Sequence, residues 1–321
     1  MAAQKMYSAK RKRIRVMVDA VFNHCGRKFA PWMSVQEHGK DSPYADWFMV
    51  NDWADLKKQR DTRDGRFYSF AFVDRMPKLN TNREEVIRYF CSVCERWIRE
   101  FDIDGIRFDV GNEVSHKFLK RIRQCVTAVK PDIYLLGEIW HDASQWLAGD
   151  EYDAVMNYPL MSGICDFFLD GESTKEDFEY TINRCYTMYM QQTNNVLFNL
   201  LDSHDTERLR NRVHDLDIFY QQLAVLFTMP GSPCIYYGTE IALRRKEAAF
   251  RSLHFHFPDD YEQKRMVHYR KLDEAGDRVE ILLNCTGVDV AVRAEGEILF
   301  HRGYEAGRLK KNGTLIYRTV G

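Results

Sequence analysis

Between residues 14 and 237 the chain alternates short apolar runs with segments of helical periodicity, and one apolar run after another ends in a carboxylate or a histidine. That pattern restricts the fold sharply. Short strands alternating with amphipathic helices build β-α units around a parallel sheet. Residues 14–22 run into Asn23-His24, residues 105–110 contain Asp109, residues 133–139 carry Glu138, residues 196–201 run into Asp202-Ser203-His204-Asp205, and residues 233–237 close on Gly238-Thr239-Glu240. A further strand is expected near residues 154–158, with helices over about 81–101, 115–129, 175–191 and 218–229. Polar side chains gathered at strand ends are the signature of a (β/α)8 TIM-type barrel, whose active site lies on the C-terminal face. A doubly wound open sheet is the other solution, but no G-x-G-x-x-G turn follows any strand.

A chain of 321 residues, 45% hydrophobic and 29% charged, can bury one large core and a small second one. Its formal net charge of -1 leaves no electrostatic footprint for nucleic acid, and the basic residues 10–15 read as a solvated helix end. No apolar segment approaches the length of a membrane span, and the first residues lack the apolar stretch of a secretory signal. The eight cysteines are scattered, several within apolar patterns, as expected of reduced core residues in a cytoplasmic protein. Cys91 and Cys94 have metal-ligand spacing but lie inside a helical pattern with no second pair, which makes them structural.

Two regions break the alternation. Residues 27–80 are rich in aromatics, Asp, Gly and Pro with little sustained periodicity, and read as a lobe inserted into a barrel domain spanning residues 1–276. Trp32, Tyr44, Trp47 and Trp53 could stack on sugar rings or fill the lobe's own core. From about residue 277 to 321, short alternating runs with turns at Gly287, Gly303 and Asn312-Gly313 indicate a small antiparallel β-domain.

The stretch from Gly105 to Val114 carries the chemistry. Ile106, Phe108 and Val110 alternate with Arg107 and Asp109, so a buried strand would present an arginine and a carboxylate on one face. A buried aspartate needs a compensating cation, and Arg107 can supply it and keep Asp109 ionised, as a nucleophile must be. The plainer alternative is that Asp109 caps the next helix. Asp109, Glu138 and Asp205 end three separate strands, with His24, Arg107 and His204 beside them and no cysteine or histidine cluster suited to zinc. Such a set suits glycoside cleavage, in which one carboxylate attacks and a second hands a proton to the leaving oxygen. Glu138, set among other carboxylates, is the better candidate for the acid. A dinuclear metal site is the competing use, but no H-x-H or carboxylate-bridging pattern supports it.

Residues 19–24 (DAVFNH), 105–113 (GIRFDVGNE), 137–140 (GEIW) and 201–205 (LDSHD) together resemble the four ordered sequence regions of the α-amylase family. Residues 76–80 (MPKLN) resemble the fifth region of its neopullulanase, cyclomaltodextrinase and maltogenic amylase branch, and Asn112-Glu113 is similar to that branch too. The resemblance implies a retaining α-glucan hydrolase and transglycosylase acting on α-1,4 and in some cases α-1,6 bonds of maltodextrins, cyclodextrins or pullulan. It implies that Asp109 is the nucleophile, Glu138 the acid/base and Asp205 the carboxylate that grips the distorted sugar. Arg107, His24 and His204 would hold the reacting glucose, Asp19 and Asn23 would support the first strand's loop, and Glu113 and Trp140 would face the acceptor. No cofactor is required. Calcium occurs in the family, but this chain gives no support for carrying it over.

Against the family pattern, only some dozen residues precede the first motif strand, where two strands and their helices are expected, and residues 242–274 are short and charged. The barrel is therefore expected to be incomplete, its edges inviting pairing with a second copy. The alternative function is a barely active remnant that binds oligosaccharide weakly.

Overall fold

The computed structural model describes residues 2–54, 56–58, 61–237, 239, 255–258, 260–272 and 277–319, and the expectation for residues 242–274 falls largely outside them. The chain divides into two compact units, residues 1–139 with 143–155 and residues 140–142 with 156–321.

The first unit begins with α1 (Ala2–Arg11), followed by β1 (Met17–Ala20) and α2 (Ala30–His38), then α3 (Glu84–Phe101), β2 (Gly105–Phe108), α4 (His116–Val129), β3 (Tyr134–Gly137) and β4 (Ala154–Val155). Its strands form one parallel sheet in the order β1-β2-β3-β4. All four residues of β2 are buried, as a parallel strand covered on both faces requires. Helix α3 turns Val86, Ile87, Phe90, Cys94 and Ile98 inward, so Cys94 belongs to the apolar stripe and burial pushes its thiol up. Thr81-Asn82-Arg83-Glu84 has the residue pattern of a capping box, but none forms at the start of α3. Arg83 stands at the N-cap of α3, and Thr81 instead accepts the Ser115 N–H on Oγ1 at 3.0 Å and the Ser115 hydroxyl on its carbonyl at 2.9 Å.

The basic run is not merely solvated. Lys10 and Lys130 both reach Asp104, at 2.8 and 2.9 Å, and Asp104 also accepts the N–H of Val16 at 2.7 Å. Burial raises the Asp104 carboxyl, but these hydrogen bonds outweigh it and bring it down to about 2.

The inserted lobe has a core of its own. Trp32 is fully buried, with its ring centroid 4.8 Å from that of Phe48 and 4.9 Å from that of Phe67, and Trp47 is buried beside Tyr44 and Tyr89. These indoles fill the lobe rather than forming a sugar platform.

The second unit carries α5 (Tyr158–Leu169), α6 (Lys175–Thr187), α7 (Gln191–Asn194), β5 (Phe198–Asn199), α8 (Leu209–Arg212), α9 (Leu216–Thr228) and β6 (Ser232–Pro233). Strand β5 pairs in parallel with β6, and Met156 bridges in parallel to Phe198. Helix α5 corrects the sequence reading, which carried the preceding strand to Tyr158 and placed no helix between that strand and residue 175. Tyr158, Leu160, Met161, Ile164, Cys165, Phe167 and Phe168 are all buried, so the helix has almost no polar face to give a period.

The unit ends in an antiparallel sheet of β7 (Phe255–His256), β8 (Met266–Leu272), β9 (Arg278–Asn284), β10 (Val290–Ala291), β11 (Glu297–Glu305) and β12 (Arg308–Thr319). The order is β10-β12-β9-β8-β7, with β11 also on β12. The sheet thus takes in β7 and β8, upstream of the change in texture at residue 277. Gly303 and Asn312-Gly313 are not turns: the former sits at a bulge inside β11 and the latter inside β12, with φ +71° at Gly303 and +57° at Asn312. The tight hairpin lies at Ala306-Gly307, both with positive φ.

Candidate active site

In the first unit, adjacent parallel strands bring three carboxylates to one guanidinium. Arg107 Nη1 lies 2.6 Å from Oδ1 of Asp19 and 2.8 Å from Oδ1 of Asp109. Its Nη2 lies 2.8 Å from Oε1 of Glu138, as a close ion contact rather than an aligned hydrogen bond. Asp19 stands opposite Arg107 in the register of β1 and β2, and Glu138 follows Gly137, the partner of Phe108 in β3. Burial disfavours the Arg107 cation, but Asp19, Glu138 and Asp109 outweigh it and raise its proton affinity further. The sequence reading gave Arg107 to Asp109 alone. One guanidinium is instead shared by three carboxyl groups.

The backbone around the carboxylates is held tightly. Asp109 donates its N–H to the Ala20 carbonyl at 3.2 Å, and Glu138 donates its own to Phe108 at 3.0 Å. The strand stops at Phe108. Val110, expected to continue the alternation, has φ +49° instead, a costly conformation for a β-branched residue. The turn lets the Val110 N–H donate to Oε2 of Glu138 at 3.0 Å. Asp109 is therefore no helix cap: Ser115 caps α4, accepting the Phe118 N–H. Buried Tyr152 donates its hydroxyl to the Gly111 carbonyl at 3.1 Å, and its ring lies where a Cβ on Gly137 would meet it at 2.6 Å. Gly137 is thus required by close approach. Nothing in the sequence singled out Tyr152.

His24 and Glu113 border the same group. The His24 ring lies flat on that of Phe70, with centroids 4.8 Å apart. Burial lowers its proton affinity, the charges of Asp109 and Glu113 oppose that, and the charge of Lys78 adds to it, so the imidazole is neutral at pH 7. Glu113 binds Lys78 Nζ through Oε2 at 2.6 Å, and the same oxygen accepts from Asn23 Nδ2 at 3.4 Å.

The second unit holds the remaining candidates. His204 Nε2 lies 3.1 Å from Oδ2 of Asp205, and both side chains are about half exposed. Asp202, by contrast, is buried and structural, accepting the Leu209 N–H at 2.9 Å and the Thr239 hydroxyl at 3.1 Å. Trp140, 47% exposed, stacks on Tyr158 with centroids 3.8 Å apart and planes within 9°. Among the described residues no group of three or more His, Cys, Asp or Glu side chains could hold a metal ion.

Two carboxylates at adjacent strand ends, one 6% and one 19% exposed and bridged by a single arginine, can divide attack and proton transfer between them. Known proteins carry the same framework. The family described as "Alpha amylase, catalytic domain" matches residues 2–279. The cyclomaltodextrinase of Geobacillus thermopakistaniensis is 49% identical over 234 residues, covering 72% of this chain and 39% of that protein. The maltogenic α-amylase of Bacillus acidopullulyticus is 40% identical over 289 residues, covering 89% and 47%. The chain thus spans less than half the length of these two relatives. A solved structure of a cyclomaltodextrinase superposes with a TM-score of 0.81 at 32% identity, covering 99% of this chain and 60% of that one. Four sequence regions, a parallel sheet that gathers Asp109 and Glu138 on Arg107, and this match over most of its residues lead to one statement: the chain belongs to the α-amylase family.

Proposed function

We propose that this chain carries the catalytic centre of a retaining α-glucan hydrolase that opens α-1,4 bonds, and in some substrates α-1,6 bonds, of maltodextrins, cyclodextrins or pullulan. The observation that carries the reading is the sharing of Arg107 by Asp109 and Glu138 at adjacent strand ends. Asp109, the more exposed of the two, attacks the anomeric carbon. Glu138 gives its proton to the leaving oxygen and then activates the water, so the configuration is retained. Asp205 grips the distorted sugar with His204 beside it, Arg107 and His24 hold the reacting glucose, and Glu113 and Trp140 face the acceptor, where a second sugar competes with water and transglycosylation results. This chemistry needs two carboxylates and a water and no cofactor.

Two subsidiary readings go with it. Among the described strands β1 pairs on one side only, with Ile14, Met17 and Val21 exposed, which supports pairing with a second copy. Among the described residues no helix is long and apolar enough to cross a membrane, and the eight thiols are free, in keeping with a cytoplasmic setting.

The test is incubation of the purified chain with maltodextrin, β-cyclodextrin and pullulan, following the anomer first released by proton NMR. The α-anomer is expected. Release of the β-anomer would overturn the roles given to Asp109 and Glu138, and a folded chain that cleaves none of the three would overturn the activity.

A further inference from the structure

The segment at residues 76–80 is strapped along the chain that leaves β1. Cys25 donates to the Pro77 carbonyl at 3.1 Å, Leu79 donates to that of Asn23 at 3.0 Å, and His24 stands opposite Lys78 as an antiparallel bridge. On its other side Lys78 donates its N–H to the Tyr68 carbonyl at 3.0 Å. With its backbone held from both sides, Lys78 projects its ammonium from a fixed point. It meets the Glu113 carboxylate at 2.6 Å, across 35 residues of sequence, with the side chains only 20% and 38% exposed. Glu113 in turn is anchored by its N–H on the Val110 carbonyl at 3.0 Å, in the turn that follows Asp109.

His24 stands between these charges. Its neighbours are Asp109 and Glu113 from the turn after β2, Lys78 from the strap, the Phe70 ring, and Cys25, whose thiol burial pushes up to about 12. Nδ1 of His24 is buried and makes no hydrogen bond. An imidazolium there would compete with Arg107 for Asp109 and would meet one uncompensated Glu113 if Lys78 were absent.

We propose that Lys78 is a positioning residue of this site, which fixes the Glu113 carboxylate and balances its charge at His24. The inference rests on the functional reading above only for its purpose, to keep the wall beside Asp109 neutral while a carboxylate faces the acceptor. The contacts themselves are independent of that reading.

The test is titration of the His24 ring by NMR in the full chain, with the resonance assigned by loss in His24→Gln. Lys78→Met is expected to raise the midpoint by roughly half a pH unit, the effect of removing one partly screened cation, and Glu113→Gln to lower it by a similar amount. The double variant should return close to the parent, and Lys78→Arg should stay there. Should Lys78→Met not fold, Lys78→Gln makes the same measurement with a smaller uncharged side chain. A midpoint unmoved or lowered by loss of the cation, or moved equally by Lys78→Arg, would overturn the proposal. The activity assay is read separately: a parent chain that cleaves no glucan defeats the functional reading while the titration still decides the role of Lys78.

Discussion

Two buried arginine-carboxylate groups, one in each unit, look alike as chemistry and differ in what they can do. In the C-terminal sheet, Glu280 on β9 accepts from His268 Nε2 at 2.8 Å and from Arg270 Nε at 2.6 Å, both on β8, so each carboxylate oxygen is occupied from the neighbouring strand. At the ends of β2 and β3, one guanidinium, that of Arg107, is shared by Asp19, Asp109 and Glu138. The first group lies within a ladder and is matched oxygen for donor. The second lies where strands stop, divides one guanidinium among three carboxyls and is open to solvent at Asp19. A buried ion pair therefore does not mark a site by itself. The sharing of one guanidinium and the position at strand ends set the second group apart.

The sharpest way to break this contrast is at Asp109, the proposed nucleophile. Asp109→Asn keeps the shape and removes the attacking charge, so glucan cleavage should fall by at least about 10³-fold with the circular dichroism spectrum unchanged. Cleavage at the parent rate would mean that Asp109 is no more than a partner for Arg107. Next come the two arginines. Arg107→Met leaves three carboxylates without their cation and should cost about 3 kcal/mol in denaturant unfolding, whereas Arg270→Met leaves Glu280 its histidine at the cost of about 1 kcal/mol. Equal losses would show that the two groups are the same kind of structure.

A smaller effect is expected at Asp104. Its folded carboxyl lies at about 2, below the ordinary aspartate value, so it stabilises at pH above that ordinary value and the contribution fades as pH falls through about 2. Asp104→Asn should lower stability by about 1 kcal/mol at pH 7, after allowance for screening, and by nothing measurable near pH 1. The smallest concerns Glu280. Burial raises its carboxyl, but the hydrogen bonds from His268 and Arg270 outweigh that and lower it, so this group too loses stabilisation as pH falls below the usual glutamate range. Glu280→Gln should flatten that part of the acid unfolding curve, and an unaltered curve would show the ladder pairs to be inert.

What the sequence made legible was local. The alternation of Ile106 and Phe108 with Arg107, and the apolar run ending at Glu138, were readable because a buried strand leaves a short-range trace. Helix α5 was not, since a helix buried on nearly every side shows no period. Asn312-Gly313 was misread because a kink within a long strand demands the same residues as a turn. Contacts made across distance, such as Tyr152 with Gly111 and Lys78 with Glu113, leave no mark on neighbouring residues. The fit of Asp19 to Arg107 belongs with them, because it depends on how two strands are aligned.

That alignment has a fixed origin at the opposite end of the strands. Asp104 takes the Val16 N–H on its side chain, and its own N–H reaches the Val16 carbonyl at 2.7 Å, just before β1 and β2 begin to pair. Three residues further along β2, about 10 Å away, the same count places Asp19 opposite Arg107. A slip of one residue would turn every side chain of β1 to the other face and carry Asp19 away from the guanidinium. Asp104, held by its two lysines, thus acts as a datum from which the spacing of the distant carboxylates is measured, so an error at the foot of the sheet would be transmitted, undiminished, to the rim that carries Asp19 and Arg107.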